Sequence, residues 1–266
     1  MTNRIDNTFS VLKEKNRKAL ITFVTVGDPS IEDTHKIMNL LVDAGVDIIE
    51  LGIPFSDPIA DGTTIQSASQ RALANGTTLK SILSLVTRFR KNNKHTPIVL
   101  MGYYNPVFRH GIESFCSDAT NAGVDGLIIV DLPPEEDSLL RTIANKDDLH
   151  LVRLVTPTTD EERLSIILDG ATGFLYYVSI NGITGMQVID EKTIEERINF
   201  LRQKTDLPIA VGFGIKSSED VRMIQKYADA AVVGSALVKK IEEIGEFHKE
   251  GELFNFVRDL SETHVP

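Results

Sequence analysis

The chain has 266 residues, of which 42% are hydrophobic and 25% charged, a composition that supports a globular core and excludes disorder. Its formal net charge of −10 disfavours nonspecific attachment to DNA or anionic membranes, although local backbone amides can still hold a phosphorylated small molecule. The single cysteine, Cys116, excludes an intramolecular disulfide, and with no histidine cluster beside it a zinc site is not expected.

The chain opens with MTNRIDNTFSVLKEKN, which lacks the continuous apolar segment of a signal peptide. Ile5, Phe9 and Leu12 recur at helical spacing there and predict an extra amphipathic helix suited to closing the bottom of a barrel. No run approaches the roughly 20 apolar residues of a membrane span, so a cytoplasmic location is expected. Eight short apolar or β-branched runs then follow: Leu20–Val26, Val46–Leu51, Pro97–Met101, Val124–Val130, Leu149–Val155, Gly173–Val178, Pro208–Val211 and Ala228–Val233. Between them lie segments of helical composition, Ile31–Ala44, Leu79–Lys91, Ile112–Ala122, Glu135–Ala144, Thr159–Leu168, Ile194–Gln203 and Ser218–Tyr227. Runs such as LIIV and AAVVG are apolar on successive positions, as in parallel strands covered on both faces. Helix starts are signalled by Ser30, by Thr158-Thr159 and by Ser217-Ser218, and helix stops by the Ala-Gly of DAGVD and NAGVDG.

Eight β–α alternations in one chain without a low-complexity linker predict a single-domain (β/α)8 TIM barrel spanning residues 1–266, with the extra N-terminal helix. A doubly wound open sheet is the alternative. The first strand-loop, ITFVTVGDPS, has only one glycine and so lacks a dinucleotide fingerprint. Cys116, in IESFCSDA, reads as an ordinary helix residue, and the acidic run around Glu242–Glu252 as a solvated tail helix.

In such a barrel the chemistry belongs at the C-terminal ends of the strands. Strand 2 ends in Glu50, and its loop, ELGIPFSDPIADG, adds Asp57 and Asp61. Strand 3 leads into Tyr103-Tyr104-Asn105-Pro106, strand 4 into Asp131, strand 6 ends in Tyr176–Ser179, and strands 7 and 8 lead into GFGI and VVGSA. Any one of these glycines alone is a turn. Three glycine-bearing loops at adjacent strand ends, with Ser235 as a hydroxyl donor, point to a phosphate site. Glu50 sits where a side chain enters the barrel mouth, and no Arg or Lys lies in its segment to neutralise it. It is either a structural acid paired from a distance or a proton-transfer group. Asp61, just before Gly62 and a helical segment, is either a helix N-cap or a second functional acid.

At ELGIPFSDPIADGTTIQ the sequence resembles the tryptophan synthase alpha chain family. The likeness continues in MGYYNPVFRHGIESF, GLIIVDLPPEE, YYVSINGITG, VGFGIKS and AAVVGSALV, in the family's order over roughly residues 20–240. The resemblance implies a lyase that cleaves indole-3-glycerol phosphate to indole and glyceraldehyde 3-phosphate, the last steps of tryptophan biosynthesis. It implies no cofactor for this chain, with pyridoxal phosphate confined to a beta-subunit partner that receives the indole in an allosteric α2β2 heterotetramer. By the same resemblance Glu50 and Asp61 are the catalytic acids. Phe23, Met101, Tyr103, Phe213 and Tyr176 fall around the indole and the reacting atoms. Thr184 falls in a loop over the substrate, and Gly185, Gly214, Gly234 and Ser235 at the phosphate. Pro54, Asp57, Asn105 and Pro106 fall in the two loops facing the beta subunit. Some members carry arginine where this chain has Ile180 in the strand-6 loop, which removes a loop-closing salt bridge at that position. The competing readings are another phosphate-binding barrel enzyme, such as an isomerase, and a catalytically silent barrel serving only as a partner.

Overall fold

A computed structural model describes residues 3–178, 191–212, 214–245 and 250–262. In chain order the elements begin with α1 (Arg4–Glu14), β1 (Ala19–Thr25), α2 (Ile31–Asp43), β2 (Ile48–Gly52), α3 (Thr63–Ala74), α4 (Leu79–Arg90) and β3 (Ile98–Gly102). They continue with α5 (Tyr104–His110), α6 (Ile112–Ala122), β4 (Gly126–Ile129), a 3₁₀ turn (Pro134–Glu136), α7 (Ser138–Lys146), β5 (His150–Leu151), β6 (Arg153–Val155) and α8 (Glu161–Leu168). The last elements are β7 (Leu175–Val178), α9 (Glu191–Arg202), β8 (Ile209–Gly212), α10 (Ser218–Gln225), β9 (Ala230–Val233), α11 (Ser235–Ile244) and α12 (Glu250–Ser261).

Every strand pairs in parallel, in the order β5-β4-β3-β2-β1-β9-β8-β7-β6. The two ends of that order are consecutive in sequence, separated by Val152 alone. The predicted fifth strand therefore exists, but its first half pairs with β4 (Leu127↔Leu151) and its second half with β7 (Arg153↔Leu175). Taken as one broken strand it closes an eight-stranded barrel. The open-sheet alternative is overturned because the first strand, β1, pairs with the last, β9, while the two ends of the order meet in that one broken strand.

The period of two along each strand sorts the core into two layers. Inward residues Ile21, Ile48, Val99, Ile128, Val152, Phe174, Ala210 and Ala230 fill the barrel. Outward residues Leu20, Ile49, Leu100, Leu127, Leu151, Leu175, Val211 and Ala231 pack against the helices. The predicted N-terminal helix is α1, and its Ile5, Phe9 and Leu12 belong to the interior layer, as a plug. Asn3 caps it by accepting from the Ile5 N–H at 2.9 Å, and the Asn3 amide donates to the carbonyls of Asp125 (3.0 Å) and Asp148 (2.8 Å). Arg4 and Arg90 each meet the buried Asp125 carboxylate at 2.7 Å, so the plug is held at the end away from the strand termini.

Other helix starts follow the residues that signal them. Ser30 accepts from the Asp33 N–H, Ser217 forms a reciprocal pair with Asp220, and α8 begins at Glu161, two residues past Thr159, because Asp160 is its cap. Two local readings change. The segment after β3 is the short helix α5 rather than a loop, and it carries Asn105 and Pro106. The acidic run is not one helix, since Glu242 lies on α11, which stops at Gly245, and Glu252 lies on α12. Among the described residues, no helix is long and apolar enough to cross a membrane.

Candidate active site

β2 carries Glu50 into the barrel, in register with Phe23 on β1 and Val99 on β3. Its side chain is fully buried, and among the described residues neither carboxylate oxygen has a hydrogen-bond partner. A charge there has lost its water without gaining a cation or donor among the described residues, and this burial pushes the Glu50 pKa up to about 8. At neutral pH the group is a carboxylic acid holding a proton. Tyr176 on β7 shares this interior and is also buried. Burial, reinforced by the Glu50 charge, holds its hydroxyl well above the usual tyrosine value, so it keeps its proton near neutrality.

Asp61 is not the helix cap. That position belongs to Gly62, and no side chain caps α3. Instead the Tyr103 hydroxyl donates to Asp61 Oδ2 at 3.0 Å and accepts from the Ala60 N–H at 3.0 Å. Gln66 donates to the Asp61 carbonyl at 2.9 Å. Burial raises the Asp61 pKa, while the Tyr103 hydrogen bond opposes the rise by favouring the carboxylate.

Asp61 opens onto a narrow, mostly apolar cleft whose other lining residues are Phe23, the β1 register partner of Glu50, with Thr25, Gly52, Ile53, Ile65, Ser69, Met101, Gly102, Tyr103 and Val130. Phe23 packs with Ile65, Ala68, Val238 and Met101 at its rim. Two glycines are required by close approach rather than by turns. A Cβ on Gly52 would fall 2.4 Å from Phe23 Cζ, and one on Gly212 would fall 2.3 Å from the Tyr176 hydroxyl. A larger hollow of 560 Å³ opens beside Asp131, Pro133 and Arg153, but it holds neither acid.

Gly234 is the N-cap of α11 and Ser235 its first residue, with no side-chain cap over the helix N-terminus. That leaves a positive dipole end beside the Phe23 side of the cleft, where Gly234 stands 3.6 Å from Phe23 Cβ, measured from a Cβ built on the glycine. Gly214 follows β8 in the neighbouring loop. Thr184, Gly185, Phe213 and Ile180 lie outside the described residues. Of the four residues expected at a partner face, Asp57 and Asn105 are exposed, Pro106 is half-buried, and Pro54 is buried at the base of its loop. Among the described residues, no group of three or more His, Cys, Asp or Glu side chains is arranged to hold a metal ion. Burial pushes the Cys116 thiol up to about 12, which suits an inert helix residue.

Thr25 and Ser69 line the cleft without having been singled out in the sequence. Thr25 lies two residues after Phe23 on the same strand face, a signal that period-two reading could have used. The inward face of α3, and so Ser69, depends on how the helix docks.

The tryptophan synthase alpha chain family model matches residues 9–262. The chain belongs to the tryptophan synthase alpha chain family. The alpha chain of Zymomonas mobilis is 54% identical over 241 residues, covering 91% of this chain and 88% of the relative. Tryptophan synthase subunit alpha from Legionella pneumophila superposes with a TM-score of 0.90 at 39% identity, over 98% of this chain and 99% of that one. A chain from the mutually activated α2β2 tryptophan synthase complex of Pyrococcus furiosus superposes with a TM-score of 0.84 at 41% identity, over 91% and 97%. Alpha chains are lyases that cleave indole-3-glycerol phosphate to indole and glyceraldehyde 3-phosphate, and that is the reaction of this chain.

Proposed function

We propose that Glu50 is both the acid and the base of this cleavage, and that Asp61 is the anion opposite the indole nitrogen. The observation that carries the reading is a fully buried Glu50, protonated near neutrality and without a hydrogen-bond partner among the described residues, in register with Phe23, which lines the cleft holding Asp61. Protonated Glu50 donates its proton to indole C3, which interrupts the ring's conjugation and leaves positive charge at the nitrogen. The Asp61 carboxylate accepts the indole N–H and stabilises that charge. The Glu50 carboxylate then takes the proton from the hydroxyl on the carbon attached to C3. That C–O bond becomes a carbonyl, the C–C bond breaks, and its electron pair restores the indole ring. Glu50 ends reprotonated, so the cycle closes without a net proton. The steps are proton transfers and one C–C cleavage, for which this chain's side chains suffice.

Phe23, Met101, Tyr103 and Phe213 form the indole pocket in this reading, with Tyr176 as a hydrogen-bond donor near the reacting hydroxyl. Gly185, Gly214, Gly234 and Ser235 hold the phosphate, supported by the uncapped N-terminus of α11. Thr184 belongs to the loop over the substrate. The chain acts as one barrel domain in the cytoplasm and passes its indole to a beta subunit, where the pyridoxal phosphate chemistry resides. The partner face is made by the β2–α3 loop and α5, through Asp57, Asn105 and Pro106, with Pro54 setting the loop's base. Ile59 and Phe108, 86% and 63% exposed on those same two segments, support an apolar contact there.

Glu50→Gln is the direct test. It removes the proton donor and keeps the shape, so indole release should fall by at least about 10³-fold while binding of a substrate analogue changes little. Turnover near the normal rate, followed by direct detection of indole, would sink the assignment.

A further inference from the structure

Tyr103 is 3% exposed, and its hydroxyl is used twice. It donates to Asp61 Oδ2 and accepts from the Ala60 N–H, so one oxygen ties the Asp61 side chain to the backbone of Asp61's own loop. Among the described residues, Asp61 Oδ1 meets no donor, which leaves that oxygen for the substrate's N–H. The Tyr103 ring lies 5.2 Å from the Phe55 ring, at 30°, on the ascending side of the same loop. Tyr103 is also the N-cap residue of α5, and the next residue, Tyr104, donates its N–H to Asp131 at 2.7 Å. One residue thus touches both ends of the β2–α3 loop and begins α5, and these two segments expose Ile59 and Phe108.

We propose that Tyr103 is a positioning residue that aims the Asp61 carboxylate and couples it to occupancy of the face bearing Ile59 and Phe108. The claim rests on the role of Asp61 given above and goes beyond a pocket-wall role for Tyr103. Two features distinguish it. A pocket wall needs only the ring, whereas the clamp needs the hydroxyl. A pocket wall also has no connection to the outer face, whereas α5 and the loop meet at this side chain. A partner pressing on Ile59 or on α5 moves Ala60 or Tyr103, and either motion turns the Asp61 carboxylate through a single hydrogen-bonded oxygen.

Tyr103→Phe deletes that oxygen and keeps the ring against Phe55. Ala60 is exposed, so its freed N–H turns to water and folding is preserved. Steady-state indole release from indole-3-glycerol phosphate should show kcat reduced by about 10- to 100-fold, the range that an ångström-scale misplacement produces, with KM within about threefold of wild type. Titrating the beta subunit into Tyr103→Phe should accelerate it by a smaller factor than wild type. A crystal structure of the variant should show Asp61 displaced, a reading independent of rate. Wild-type kcat in the variant, a loss confined to KM, or an unmoved Asp61 would overturn the positioning role. An undiminished factor of acceleration by the beta subunit would overturn the coupling. Near-normal indole release by Glu50→Gln, run alongside, would instead overturn the assigned roles on which this proposal rests.

Discussion

At Glu50 function and stability oppose each other. Its pKa rises from 4.5 to about 8 on folding, so the native state keeps a proton that the unfolded chain has released. Between those two values the native state therefore loses stability as pH rises, and the loss is complete near pH 8. At 1.36 kcal/mol per unit the full penalty is about 5 kcal/mol. Glu50→Gln cannot ionise and escapes it. The variant should be more stable than wild type by about 3–5 kcal/mol at pH 8, with the difference shrinking toward zero near pH 4.5. Denaturant unfolding of both proteins at the two pH values measures this, and a gain independent of pH would contradict the burial argument. Glu50 was legible in the sequence because an acid interrupts an apolar strand with no cation nearby, although the strand runs on to Gly52 rather than ending at the acid. The state of its proton was not, because that depends on residues from β1, β3 and β7 that exclude water around it.

At the scale of elements, α1 closes the barrel at the end opposite the acids. Phe9 packs its ring 5.9 Å from Phe174, which in turn lies 6.5 Å from Tyr176, so a ladder of rings runs from the plug toward the site. Phe9→Ala leaves a cavity in the interior layer and should cost about 3–5 kcal/mol, read as a lower denaturation midpoint. Since α1 touches neither acid, kcat measured well below the new melting temperature should stay within about twofold of wild type. The spacing of Ile5, Phe9 and Leu12 foretold this helix. The break in the fifth strand at Val152 had no sequence signal, because HLVRLV is apolar enough for one strand and only the neighbours' register divides it. Likewise YYNPVFRH reads as a loop because its Pro sits early. Proline is tolerated in a first helical turn, where its missing N–H has no partner to lose, and α5 forms around it.

At the scale of the whole molecule, the face formed by the β2–α3 loop and α5 exposes apolar side chains on an otherwise acidic protein. If a beta subunit seats there, Phe108→Asp puts a charge into a buried contact. The concentration of beta subunit needed for half-maximal acceleration of indole release should then rise by at least about tenfold. An unchanged titration would move the partner face elsewhere on the barrel.

The alternation of strands and helices and the plug helix were legible in the sequence alone, because periodicity and caps are local. The family likeness was legible for the same reason, in short blocks at the strand ends. What the tertiary structure decided was contact between segments far apart in the chain. It seals Glu50 away from water beside Tyr176, from a strand more than a hundred residues on, and it brings the Tyr103 hydroxyl to Asp61 across 42 positions. Proton affinity and aim depend on the distances among such groups in three dimensions, and no spacing along a chain encodes those distances.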